Sequence, residues 1–280
     1  MNNEKGVTYV ATGKDFVQEA AISADSLRTH MPDIKITILT DVSEKPKEFD
    51  NIIRISSSGS GAEHKVRNMI KTPYQKTLYL DTDIYIDGDI TEVFELLDQF
   101  DVAASQDLAM DFASRQIDLP KINNIPKSFP EYNGGVIAYR MNRRVRAFIS
   151  EWNKMYSAVK ERGQIYNQAA LRSALYYSDV KLATLPHNYN CVYRRPGCVN
   201  RKVKVFHGRL CEISSYGASR KLNPKRVSDV LNSESRTRLF YPVGDGVSLI
   251  EPSILTKLVR YYRSYGAKKT VSKIYNKIRG

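Results

Sequence analysis

Asp81 and Asp83, separated only by Thr82, form the pair whose types and spacing most directly suggest chemistry. A turn-spaced D-x-D can aim two carboxylates at one hard cation and leave positions open for substrate phosphates, the arrangement expected of Mg²⁺ or Mn²⁺. Such a cation would neutralise charge on a diphosphate leaving group. Surface turns also contain D-x-D by chance, so context decides. The preceding Leu78-Tyr79-Leu80 is apolar enough to be buried, so the acids emerge from a core and do not decorate a solvated face. Asp87 and Asp89, flanking Gly88, read as an ordinary turn.

Two other constellations invite a chemical reading. His187, Cys191, Cys198, His207 and Cys211 contain two H-x₃-C pairs, which raises a structural zinc site, although zinc ligands normally come in tighter knuckles. Three cysteines are an odd count in a chain of this size and argue against a disulfide framework. The Ser/Gly-rich stretch from Ser56 to Gly61 lacks the G-K-[ST] ending of a phosphate loop and is not one.

The elements that must position these residues follow from periodicity. Val7 to Ala11 is a short β-prone run, and Lys14 to Arg28 carries apolar residues at helical spacing, with Phe16, Ala20, Ile22 or Ser23, and Leu27. Strands are expected over 34–39, 52–55, 77–80, 102–104 and 136–139, and helices over 62–70, 90–97, 145–159 and 167–176. This alternation predicts a largely parallel sheet, where ligands bind at the carboxyl ends of strands, the position Asp81 to Asp83 occupies. Residues 107–131, with Pro120, Pro126 and Pro130, read as a long functional loop. Asn133-Gly134-Gly135 reads equally well as a turn before the next strand. Beyond Val180, short apolar pieces alternate with basic loops and no boundary is assigned.

The 280 residues suffice for one large domain with appendages, and 42% hydrophobic with 26% charged residues excludes wholesale disorder. No apolar run approaches a membrane span, and the polar start is too weakly apolar for a signal peptide, so a cytoplasmic protein is expected. The formal charge of +13 is concentrated: residues 253–280 hold eight Lys or Arg and no acid, and ten cations between Arg194 and Arg226 face only Glu212. Something anionic is expected at the second cluster. The division expected is a domain over 1–252 and a basic amphipathic tail over 253–280, either docked on the domain or lying on an anionic membrane surface.

The stretch KTLYLDTDIYI, Lys76 to Ile86, resembles the D-x-D strand of GT-A glycosyltransferases, especially family 8 and related nucleotide-diphospho-sugar transferases. Tyr9-Val-Ala-Thr-Gly13 resembles their first strand, Asn133-Gly134-Gly135-Val-Ile-Ala138 their N-x-G-V strand, and His207-Gly208 their late H-G element, all in order over residues 7–210. The resemblance implies a GT-A, Rossmann-like α/β fold with a mostly parallel central sheet and a basic C-terminal helical tail. It implies Asp81, Asp83 and His207 as ligands of Mn²⁺ or Mg²⁺, and Ala11 and Thr12 along the nucleotide. Lys65, which composition alone reads as a solvated helix residue, would touch donor phosphate or sugar, and Arg209 would assist the diphosphate. Asp107, Asn133, Gly134 and Gly135 would hold the donor sugar or face the acceptor.

One departure bears on stereochemistry. Where family 8 often has Asp-Gln, this chain has Asn167-Gln168, and an amide cannot act as a carboxylate nucleophile or base. Inversion would need Asp107 or Asp111 as general base, whereas retention needs none so placed, and the expectation leans to retention. The function expected is metal-dependent transfer of a sugar, a hexose by resemblance, from a nucleotide-diphosphate donor with UDP favoured, to a glycan, glycolipid or other hydroxyl. Two alternatives remain at this level. A sugar nucleotidyltransferase would carry a Gly-rich, Arg-containing loop after strand one, which Ala11 to Asp15 does not match. A nucleic-acid binder is supported by charge alone, and no nucleic-acid partner is expected.

Overall fold

The strand that ends in the acidic pair is the centre of the molecule. In KTLYL, Leu78 and Leu80 enter one hydrophobic core while Tyr79 enters the other, so β4 (Lys76–Leu80) is covered on both faces. The structure, a computed structural model, describes residues 4–44, 46–56, 61–108, 117–213, 223–233, 236–244, 246–250, 262–263, 265–267 and 269–271.

Before β4 come β1 (Lys5–Val10), α1 (Lys14–His30), β2 (Lys35–Thr40), β3 (Asn51–Arg54) and α2 (Gly61–Asn68). After it come β5 (Ile84–Ile86), α3 (Val93–Leu96), β6 (Val102–Gln106), α4 (Pro120–Asn123), β7 (Tyr132–Arg140), α5 (Arg143–Lys160), α6 (Gln168–Tyr177) and β8 (Leu182–Leu185). A seven-stranded sheet takes the order β3-β2-β1-β4-β7-β6-β8. All its pairings are parallel except those of β7, which is antiparallel to both β4 and β6. One face packs on α1 and α3, the other on α2, α5 and α6, giving the two-sided burial that a mostly parallel sheet requires. Within α1, Ser23 and not Ile22 faces inward, and its hydroxyl bonds the buried Tyr9 hydroxyl at 2.9 Å.

The unassigned region beyond Val180 forms β9 (Cys191–Val192), β10 (Gly197–Val199), β11 (Val205–His207), α7 (Pro224–Leu231), β12 (Arg238–Val243) and β13 (Gly246–Leu249). Two three-stranded sheets result, β5-β11-β9 and β10-β12-β13. The first matters for function. Antiparallel pairing of β5 with β11 sets His207 opposite Ile84, immediately after Asp83, and Gly208 N–H donates to the Asp83 carbonyl at 2.8 Å.

Three expectations are corrected. The helix expected over 90–97 is only Val93–Leu96, because Ile90 and Leu97 bury their side chains from flanking turns and mimic the helical period. The stretch 107–131 is not all loop, since Pro120 opens α4; positions 109–116, with Asp111, lie outside the described residues. Asn133-Gly134-Gly135 is not a turn but part of β7. Of the tail, residues 262–263, 265–267 and 269–271 are helical, with Tyr262, Tyr265 and Val271 exposed; the rest of 253–280 lies outside the described residues. Among the described residues no helix is long and apolar enough to cross a membrane.

Candidate metal and donor site

Asp81, Asp83 and His207 offer ligand atoms that all lie within 4.8 Å of one another, the only such group of His, Cys, Asp or Glu among the described residues. His187, Cys191, Cys198 and Cys211 therefore do not assemble a zinc site among the described residues; no disulfide joins the three cysteines, of which Cys191 is buried and Cys198 exposed.

The orientation of His207 can be derived from one backbone donor. Gly135 N–H donates to Asn133 Oδ1 at 2.8 Å, which fixes the Asn133 amide and turns its Nδ2 toward Asp107 Oδ2 at 3.3 Å. Asn190 Nδ2 donates to the same Asn133 oxygen at 2.9 Å, so Asn190 Oδ1 must be the acceptor for His207 Nδ1–H, also at 2.9 Å. His207 Nε2 then faces Asp83 Oδ1 at 3.3 Å. Held by a side-chain carbonyl on one nitrogen, the ring presents the other to the acids, as metal-ligating histidines do. Gly135 makes room for it: a Cβ there would lie 2.3 Å from His207 Cε1.

Burial alone would raise the Asp83 carboxyl, but His207, Arg209 and Arg194 outweigh it and hold it well below the usual range. Burial would lower His207, yet the Asp83 charge and hydrogen bond move it upward. Asp81 has another set of partners: Oδ1 accepts from Lys65 Nζ at 2.8 Å and from the Tyr79 hydroxyl at 2.7 Å, and its N–H donates to Gly135 O. One nitrogen and two carboxylates at a cleft wall suit a hard divalent cation that keeps open positions for phosphate oxygens. The donor set fits the expected metal.

These ligands border a cleft of about 660 Å³, open mouth included, lined by Ala11 and Thr12 at the end of β1, Phe16, His64, Lys65, Asp81, Asp83, Asn167 and Arg209 among others. Most of the expected nucleotide and phosphate residues thus meet in one place. Lys65 is no solvated helix residue: its side chain is 7% exposed, and Nζ sits 5.0 Å above the Tyr79 ring. Gly134 is buried behind two cleft-lining side chains, for a Cβ there would lie 3.0 Å from Lys65 Nζ and 3.3 Å from Asn167 Oδ1. Successive glycines in β7 thereby admit side chains on opposite faces, Lys65 and Asn167 on one and His207 on the other.

Not every expected residue joins them. Asp107 lines a smaller neighbouring cavity of about 370 Å³ with His187, Asn190 and Arg195, and is linked to His207 through the Asn133 and Asn190 amides. Asn133 is buried within that amide chain and does not line the cleft. Gln168 is half-buried at the start of α6, also off the cleft wall.

The basic segment finds part of its expected anion within the protein. Arg194 approaches Asp83 at 3.5 Å, Arg195 approaches Asp107 at 3.9 Å, Arg209 binds Glu19 at 2.6 Å, Lys202 approaches Asp87 at 3.6 Å, and Lys204 pairs with Glu92. Asp87 also accepts from Ser228 and Asn232 at 2.7 and 2.9 Å, so beyond the turn read from the sequence it anchors α7.

Two site residues escaped the sequence reading. Glu19 is an isolated acid on a helix whose partners lie far along the chain, and Asn190 sits between elements too short to carry a period.

No protein-family model matches the chain, and no curated protein does. Solved structures do. A galactosyltransferase, LgtC, in complex with donor and acceptor sugar analogs superposes with a TM-score of 0.50 at 18% identity, covering 66% of this chain and 74% of that one. Mouse xyloside xylosyltransferase 1 gives 0.51 at 13% identity over 73% of this chain and 97% of that one. The bifunctional glycosyltransferase WbbM gives 0.50 at 14% identity over 70% and 41%. At these identities the likeness is one of fold, and the fold of this chain is GT-A.

Proposed function

We propose that this GT-A chain is a metal-dependent glycosyltransferase that moves a sugar, a hexose, from a nucleotide-diphosphate donor to a hydroxyl of a glycan or glycolipid. The observation that carries the reading is the convergence of Asp81, Asp83 and His207 within 4.8 Å beside the cleft lined by Ala11, Thr12, Lys65 and Arg209. It lies at the carboxyl ends of parallel strands, where α/β sheets bind ligands.

Asp81, Asp83 and His207 would hold Mn²⁺ or Mg²⁺, which when bound supplies positive charge against the leaving diphosphate. Ala11 and Thr12 shape the nucleotide end of the cleft, with UDP the favoured donor by resemblance. Lys65 and Arg209 bring cationic donors to the phosphates in a partly desolvated place, where they act more strongly than in water. Gly134 lets Lys65 and Asn167 approach closely at the cleft wall, where the Asn167 amide can bond a donor-sugar hydroxyl but cannot accept a proton as a base. Asp107, separated from the cleft by the Asn133 and Asn190 amides, is poorly placed as a general base, which supports retention. Residues 253–280, with eight cations and no acid, would rest on the anionic cytoplasmic face of a membrane near a lipid-linked acceptor.

Release of nucleoside diphosphate from a panel of nucleotide-sugars, with Mn²⁺ and then with chelator, tests this reading. Turnover of one donor only with metal is expected. Equal release with chelator present would overturn the metal assignment.

A further inference from the structure

Glu19 is the most deeply buried carboxylate near the cleft, and the chemistry above gives it no task. Its side chain is 0% exposed on the face of α1 that otherwise buries Val17, Ala20, Ser23, Ala24 and Leu27. A carboxylate placed there loses its water and is tolerated only with full hydrogen bonding. Three donors meet it: the Thr82 hydroxyl and Arg209 Nη1, each 2.6 Å from Oε2, and Leu210 N–H, 3.1 Å from Oε1. Thr82 is the central residue of the acidic pair's turn, and Arg209 and Leu210 follow His207. One side chain therefore ties together both segments that supply the metal ligands.

Arg209 has two acids within reach. Its Nη1 is bound by Glu19, while its Nε lies 3.9 Å from Asp83 Oδ2, and its guanidinium carbon sits 5.5 Å from the centre of the Phe16 ring. Without the Glu19 carboxylate, the nearest anion for this cation is Asp83 itself. Arg209 would then collapse onto a metal ligand and withdraw from the cleft.

We infer that Glu19 is a positioning residue: it holds Arg209 off Asp83 and aimed at the second phosphate of a bound nucleoside diphosphate. The inference rests on the reading of the cleft as a nucleotide-diphosphate site. It assigns Glu19 no contact with substrate, and it separates a positioning role from a merely structural one. A structural support would affect all nucleotides alike, whereas a residue acting through Arg209 affects the diphosphate and spares the monophosphate.

The test is calorimetric binding, to the full chain with Mn²⁺, of uridine, adenosine, guanosine and cytidine diphosphates and the matching monophosphates. Glu19→Gln should weaken the preferred diphosphate by about tenfold, the worth of roughly one charge-assisted hydrogen bond, and leave its monophosphate within about twofold. Equal weakening of both, or of neither, in a folded variant overturns the inference while the wild-type preference for a diphosphate upholds the cleft reading. Absence of any nucleotide binding by the wild type sinks both. Should Glu19→Gln not fold, Glu19→Gln/Arg209→Gln removes the stranded cation as well. It should show the same diphosphate-to-monophosphate ratio as Arg209→Gln alone, and a further fall in that ratio would overturn the claim that Glu19 acts through Arg209.

Discussion

The two ends of the central sheet each bury an aspartate, and they use it in opposite ways. At the amino end of β6, Asp101 accepts from Asn142 Nδ2 at 2.7 Å, from Arg144 at 2.8 and 3.0 Å, and from Lys181 N–H at 2.9 Å. Its own N–H and C=O complete the knot, the first donating to Lys181 and the second accepting from Arg140. Every hydrogen-bond donor to the carboxylate lies within 3.0 Å of it. At the carboxyl end of β4, Asp83 is nearly as buried but faces a histidine nitrogen at 3.3 Å and two guanidinium groups at 3.5 and 3.9 Å, beside an open cleft. Its partners are loose contacts that a cation can displace. A buried acid saturated by short, fixed hydrogen bonds stabilises a fold; one held loosely by exchangeable cations at a cleft is built to bind.

The largest expected contrast is between alanine variants of these two residues. Asp83→Ala should lower metal-dependent turnover by about 10³-fold or more, several kcal/mol of lost charge stabilisation, with a folded far-UV spectrum. Asp101→Ala should instead cost roughly 2 kcal/mol of unfolding free energy by leaving the Lys181 N–H and the Asn142 amide without their acceptor, while turnover persists below the new melting temperature. If both variants lost the same property, the distinction between the two ends would fail.

Next in size is a steric version confined to the metal end. Gly135→Ala forces a Cβ to within 2.3 Å of the His207 ring, so Mn²⁺ binding measured by calorimetry should be lost or nearly so. Gly134→Ala meets the flexible end of Lys65 at 3.0 Å, and the lysine can move; metal affinity should survive while nucleotide affinity falls a few-fold, by roughly 1 kcal/mol of a perturbed ion pair. Between these two lies Asn190→Ala, which frees His207 Nδ1 and should weaken Mn²⁺ binding about 10- to 100-fold. An unchanged affinity would show that Asn190 does not orient the ring.

Acid provides the gentlest separation. Burial would raise Asp101, but the Arg144, Lys181 and Asn142 hydrogen bonds outweigh it and hold its carboxyl at about 2, below its value in the unfolded chain. A depressed folded value means stability is fully present above the unfolded one and is lost as pH falls through the folded one. Urea midpoints should therefore report a loss of about 2 kcal/mol from this group between pH about 4 and about 2, absent in Asp101→Asn.

The same comparison explains what was legible in the sequence. The acidic pair was legible because β4 is apolar on both faces, so its first polar residues mark a strand end in a buried sheet. His207 was placed beside the pair by resemblance, and the structure supplies the reason in the pairing of β5 with β11, two strands of three residues each that carry no usable period. Asn133-Gly134-Gly135 read equally well as a turn or, by resemblance, as a strand, because paired glycines usually mark turns; here they serve close approach by Lys65 and His207 within a strand. Asp101, Glu19 and Asn190 were illegible for a common reason. Each is an ordinary polar residue whose role is set by partners between 17 and 191 positions away, so only the assembled fold identifies it.

The most direct test of the central claim is calorimetric titration of nucleoside diphosphates into the wild type and Asp83→Ala, with and without Mn²⁺. The account predicts tight binding of one diphosphate by the wild type only when Mn²⁺ is present, and its loss in the variant under both conditions. Binding that is indifferent to metal, or that survives in Asp83→Ala, would contradict it.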